Sequence, residues 1–259
     1  MEITLEELFK GKATKIKNKQ FFSTEQYVEP FLERMQKYTS DFRVQVKLPD
    51  QITTDINGNI ITDDITYNRV YIQAVLPEEY TFNNHKEVIG MVYGIDTRKP
   101  IAKFFKGALN CACTNLCVFN PDALAIQEIA PETAINFKPL TRIAEMTSDV
   151  AQWLNTLSNT QFITNEQNIN EHLGQWVRNS MNYEYDNGFG KVKIANSIPI
   201  DAYKLLFEKE DSPYYTGFGK DLSMFTVYNA FTQLLTDGLK KDVISQCEKT
   251  LLLKDILTL

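Results

Sequence analysis

The sequence predicts an α+β fold, a central antiparallel β-meander preceded by an N-terminal helix and followed by a C-terminal helical segment. Apolar residues recur at helical spacing before about residue 40, alternate with polar ones between about 41 and 120, and return to helical spacing beyond Pro139. Turn signals divide the middle stretch into short runs, as a meander requires. Elements segregated in this way, rather than alternating, do not build a parallel Rossmann-like sheet. The 259 residues are read as one domain, 1–259, with a basic arm and helix at 1–40, the meander at 41–120 and the helical part at 139–259. A chain of this length buries a sizeable core without disulfides or metals.

Thr4 and Glu7 stand at capping-box spacing ahead of a short helix over 5–10. Lys10, Lys12, Lys15, Lys17 and Lys19 follow with no acid between them, forming a basic arm. Ser23 and Gln26 repeat the capping-box spacing before a helix that carries Tyr27, Val28, Phe31, Leu32 and Met35 on one side and runs to about Tyr38. The period then becomes two. Phe42, Val44, Val46 and Leu48 alternate with Arg43, Gln45 and Lys47, which predicts a half-buried strand. Asn57-Gly58 is a hairpin-type turn, and Val70, Ile72, Ala74 and Leu76 line one face of the next strand. Residues 87–95 and 101–105 predict two more strands, and the apolar stretch 108–119 a buried strand or a strand leading into a loop.

Beyond Pro139, Leu140, Ile143, Ala144, Val150, Ala151, Leu154 and Leu157 predict one long helix. Asn165 caps a second helix bearing Ile169, Leu173, Trp176 and Val177. Pro199 opens a third, through Leu205 and Leu206. Met224, Val227, Tyr228, Phe231, Leu234 and Leu235 mark a fourth, stopped by Asp237-Gly238, and 239–257 form a last one.

Composition narrows the function classes. Hydrophobic residues make up 43% and charged residues 23%, ordinary globular usage. The net charge of −6 argues against a dedicated duplex-DNA binder but leaves room for a local basic face. No run of 18 apolar residues offers a membrane span, so no membrane partner is expected. The N-terminus puts acids where an export signal needs positive charge, so the expected location is cytoplasmic, in the gene's own cell or a host's, with reduced cysteines.

No catalytic constellation emerges. His85 lies in a polar Asn83-Asn84-His85-Lys86 turn and reads as solvated, whereas His172 reads as a surface or boundary residue. Neither has triad spacing, and HExxH, the Walker loop and GxGxxG are absent. Cys111, Cys113 and Cys117 alternate along an apolar stretch without a CxxC pair, the habit of core thiols rather than zinc ligands, so no metal and no cofactor is expected.

Two features suit a single strand of nucleic acid, which needs stacking faces beside phosphate partners. The segment Gly188-Phe189-Gly190-Lys191 repeats as Gly217-Phe218-Gly219-Lys220, and the first copy continues to Lys193. The bland alternative is a pair of glycine turns with each Phe folded over the core. Arg98, Lys99, Lys103 and Lys106, with Lys12, Lys15, Lys17 and Lys19 of the arm, would track phosphates along a groove between sheet and arm. Their bland alternative is a solvated edge strand whose lysines discourage aggregation. The nucleic-acid-binding set is thus these eight residues with Phe189, Lys191 and Lys193.

Cys113-Thr114-Asn115 with Leu116-Cys117, next to Asn110 and after a strand rich in Lys and Phe, resembles a segment of phage/plasmid-like families of unknown function. Tyr228-Asn229-Ala230-Phe231-Thr232 is similar to their second shared element, although the glycine-bearing form of the first is not kept, since Leu116 follows Asn115. The resemblance spans roughly residues 65–240 and implies a home in mobile genetic elements, with Cys113, Asn115, Asn229 and Thr232 as motif positions. It implies no reaction. Asn and Thr at such positions tie backbone together by hydrogen bonds.

The expected function is therefore that of a non-enzymatic phage or plasmid accessory protein engaging single-stranded nucleic acid or a host nucleoprotein effector. The alternative is an inhibitor of a host defence system, anti-CRISPR-like, acting by protein–protein contact. A small hydrolase or transferase would need a site that no motif announces.

Overall fold

The computed structural model describes residues 2–10, 15–16, 19–20, 24–47, 69–77, 81–82, 85–96, 99–110, 116–117, 124–128, 135–146, 150–186, 190–237 and 243–257. In chain order the elements begin with β1 (Glu2–Ile3), α1 (Leu5–Lys10), β2 (Lys15–Ile16), β3 (Lys19–Gln20), α2 (Thr24–Met35), β4 (Asp41–Lys47) and β5 (Arg69–Val75). They continue with β6 (Thr81–Phe82), β7 (His85–Asp96), β8 (Lys99–Asn110), β9 (Leu116–Cys117), β10 (Leu124–Glu128), α3 (Lys138–Glu145) and α4 (Val150–Asn159). The remainder is β11 (Gln161–Ile163), α5 (Glu166–Asn182), β12 (Tyr185–Asp186), β13 (Lys191–Val192), α6 (Ser197–Phe207), β14 (Asp221–Ser223), α7 (Met224–Asp237) and α8 (Val243–Ile256). The fold is α+β, and its main sheet runs β1-β4-β5-β7-β8-β10 with the strands of the middle region in meander order.

The residues group into two compact units, one of 1–80, 86–106 and 122–146, the other of 81–85, 107–121 and 147–259. In the first unit the register pairs Val44 with Ile72 and Ile72 with Met91, so alternate residues of β4, β5 and β7 share one face. That face is buried under Leu8 of α1, Tyr27, Val28, Phe31 and Met35 of α2, and Leu140 and Ile143 of α3. Tyr27 stacks on Tyr93 with ring centroids 4.7 Å apart. Burial, and then the neighbouring Tyr93 hydroxyl, push the Tyr27 phenol far above its ordinary range.

The N-terminus is no loose arm over residues 2–10. β1 pairs with β4, Leu8 is fully buried, and the capping box forms, with Glu7 N donating to Thr4 Oγ1 at 3.1 Å and Thr4 N to Glu7 at 2.7 Å. Ser23, Asn57 and Gly58 lie outside the described residues.

Three expectations change. The predicted long helix is two helices, because Met146 leaves helical geometry (φ −59°, ψ 126°) while its N–H still donates to Arg142 O. The Thr147-Ser148-Asp149 run, a string of cap-forming residues, was the signal against continuity. β8 reaches from Lys99 to Asn110, well beyond the anticipated five residues. The unanticipated β10 pairs along it, Leu124 opposite Phe105 and Glu128 opposite Ile101.

The opposite face of β5, β7 and β8 is buried as well, at Tyr71, Val75, Val88, Val92 and Phe105, whereas that of β4 leaves Asp41 and Gln45 exposed. Tyr71 and Phe105 stack at 5.7 Å, and the Phe105 ring lies flat over Gly90. A Cβ at position 90 would sit 1.9 Å from Phe105 Cζ, so no side chain fits there without moving a buried ring. Gly90→Ala should therefore lower stability by about 1–3 kcal/mol, the usual cost of overpacking. Urea denaturation measures this as a lower midpoint, and in a Phe105→Leu background the same substitution should cost far less.

The second unit has its own core. Trp176 meets Phe231 edge-to-face at 5.6 Å and Trp153 meets Tyr228 at 4.7 Å. Ile169, Leu206, Val227, Leu253 and Ile256 complete it. Asn165 caps α5 as expected, accepting from Asn168 N at 2.8 Å. No helix among the described residues is long and apolar enough to cross a membrane.

Candidate interaction surface

α6 turns Pro199, Ala202, Leu206 and Phe207 inward. Ile200 and Tyr203 stand at helical spacing along a second side, where Ile200 is 43% exposed. At the end of the helix the N–H groups of Glu208 and Lys209 both donate to Lys204 O, and the chain doubles back. Thr216 N and Gly217 N then donate to Leu206 O at 2.8 and 3.2 Å, fixing the returning segment against the last turn of α6.

The second copy of the glycine repeat sits here. Gly217 and Gly219 take φ of +71° and +78°, conformations that a residue with a Cβ adopts at a cost. Beyond them the chain is held again: Gly219 N donates to Thr164 O at 2.8 Å, Lys220 N donates to Thr164 Oγ1 at 2.9 Å, and the Thr164 hydroxyl donates to Lys220 O. Phe218 is thus pinned on both sides. Its ring stacks on Phe207 at 5.1 Å with 19° between planes, and 46% of the residue remains exposed. Tyr203 packs against Phe207 at 5.2 Å, so Tyr203, Phe207 and Phe218 form an aromatic ladder. Burial first, then the charges of Glu208 and Glu166, raise the Tyr203 phenol above its ordinary value. Phe218 is thus folded over the core at Phe207, as the bland reading of the repeat had it, and stays partly exposed.

The residues singled out from sequence fare unevenly. Lys103 and Lys106 are buried, at 1% and 8% relative exposure, and so cannot line an open phosphate groove, nor do they decorate a solvated edge, since β9 and β10 both pair with β8. Lys106 Nζ lies 3.5 Å from Glu87 and donates to Met146 O at 2.8 Å, tying β8 to β7 and to the end of α3. Alternation alone could not show that both faces of this strand are covered. Lys191 and Lys193 are exposed but converge on Glu184, Lys193 at 3.2 Å. Hydrogen bonds from Lys191, and then from Lys193, hold the Glu184 carboxyl below its ordinary range.

Lys12, Lys17, Arg98, Phe189, Cys111, Cys113 and Asn115 lie outside the described residues, while Lys15, Lys19, Lys99, Cys117 and Cys247 are described by backbone alone. His85 is not a solvated turn residue. It begins β7, is 2% exposed and meets Phe225 edge-to-face at 5.5 Å. His172 is half-buried and stacks on Trp176 at 6.0 Å. Asn229 and Thr232 are buried within α7, where the Thr232 hydroxyl donates to Asn229 O at 3.0 Å and Asn229 Oδ1 has no hydrogen-bond partner among the described residues.

The sequence reading missed Ile200 and Tyr203 and placed none of its candidate site residues on the second copy of the repeat. The available signals were an isoleucine off the inward stripe of α6 and the tyrosines that precede Gly217. Comparison with known protein families, curated proteins and solved structures gives no match.

Two measurements test these placements. Lys106→Met should destabilise the fold by about 3 kcal/mol, since it strands a buried carboxylate, whereas Lys106→Met with Glu87→Leu should recover most of the loss in chemical denaturation. Because the Glu184 carboxyl is depressed in the folded state, its ties to Lys191 and Lys193 hold above its ordinary value and are lost as pH falls through the lowered one. Carbon-detected titration should place its midpoint below that of an ordinary glutamate, and Lys191→Met should move it back up.

Proposed function

We propose that this chain is a non-enzymatic accessory protein that works by holding another protein, with the Phe218 loop and the outer side of α6 as its contact surface. The observation that carries this reading is an exposed aromatic ring on a loop clamped at both ends, by Leu206 O and by Thr164. An anchor already fixed in place loses little conformational freedom on binding. Large aromatic side chains in such positions supply most of the energy of protein contacts. The resemblance to phage and plasmid families adds that the partner belongs to a host, with a defence effector as the leading class.

Nucleic-acid binding stays as a second reading because β2 and β3 fold the lysine-rich arm back on itself, pairing Ile16 with Lys19 and Lys15 with Gln20. Concentrated lysine charge binds phosphate with a steep salt dependence.

The experiment is photo-cross-linking from benzoylphenylalanine at position 218, with exposed Lys254 as the control position. A saturable protein adduct from 218 alone is expected. Phe218→Ala should weaken binding of that partner at least about tenfold, or about 1.4 kcal/mol. An adduct that nuclease removes would transfer the role to nucleic acid.

A further inference from the structure

We propose that the partner presents a basic segment, with an arginine laid against the Phe218 ring; this rests on the protein-binding surface described above. Phe218 stacks on Phe207 and stays 46% exposed, so it offers ring surface to one more planar group. A guanidinium is such a group, and it stacks on aromatic faces while its N–H edge pairs with carboxylates.

The charges around the ladder select it. Residues 201–221 together with Glu166 hold six carboxylates against three lysines. Lys204 and Asp201 pair with each other at 3.2 Å, which leaves five carboxylates against two lysines. Glu208 is exposed just beyond the last turn of α6, and its charge and that of Glu166 are both felt at the Tyr203 hydroxyl. A nucleic-acid base could stack on the same ring, but its phosphates would meet this acidic rim. A cationic peptide gains from both ring and rim.

The test uses the full chain and four fluorescent probes: a nonapeptide of alternating Arg and Gly, its Lys and Glu counterparts, and an oligothymidylate. The Arg peptide should bind saturably, the Lys peptide about fivefold more weakly, and the Glu peptide and the oligothymidylate not at all. Phe218→Ala should weaken the Arg peptide at least about tenfold, and Phe218→Leu, which keeps apolar bulk without a ring, nearly as much. Glu208→Gln should weaken it roughly threefold at low salt and less at high salt. Failure of the Arg peptide to bind, binding indifferent to Phe218, or competition by the oligothymidylate would each overturn the inference. A protein cross-link from position 218 alongside such a failure would leave the contact surface standing and remove only its basic partner. Loss of both would remove the surface too.

Discussion

Burial of both faces of the central strands is the constraint on which the first unit depends. One face of β4, β5 and β7 meets three helices, and the opposite face of β5, β7 and β8 holds Tyr71, Val88, Val92 and Phe105 away from water. Under that constraint every polar group on β8 must find an internal partner, because leaving one unpaired costs more than a bond is worth. Lys106 solves the problem with Glu87 and the Met146 carbonyl. Gly90 answers the same constraint by omission, since its missing side chain is the space that the Phe105 ring occupies.

The second unit shows the opposite economy at its surface. Its interior is an ordinary helix-packing core built on Trp176, Tyr228 and Phe231. Yet several backbone bonds, and the wholly buried Thr164, serve to hold a loop whose central side chain is left in water. A phenylalanine half in solvent gives up hydrophobic stabilisation that burial would supply, of order 1 kcal/mol. Rigid support for a ring in that state makes sense when another surface completes its burial.

The lysines expected to meet phosphate have divided into groups with different work. Lys106 holds strands and helix together, Lys191 and Lys193 close the β12–β13 hairpin through Glu184, and Lys15 and Lys19 fall on a separate small hairpin. A basic residue in a linear sequence announces its charge but not the carboxylate that shares it. Asn229 and Thr232 likewise lie inside α7, where Thr232 bonds to the backbone.

The sequence by itself determined the fold class, the capping box of Thr4 and Glu7 and most helices and strands, because periodicity and end signals act over a few residues. It also raised the Gly-Phe-Gly-Lys repeat, whose glycines do adopt left-handed geometry at 217 and 219. It missed the break at Met146, the length of β8 and the partner strand β10, and it could not place Lys103, Lys106 or His85 on the right side of the surface or show what holds the Phe218 loop. Those outcomes depend on groups tens of residues away, such as Glu87 for Lys106, Phe225 for His85 and Thr164 for the Phe218 loop. Burial is a property of what comes to lie against a side chain, and only the assembled chain decides that.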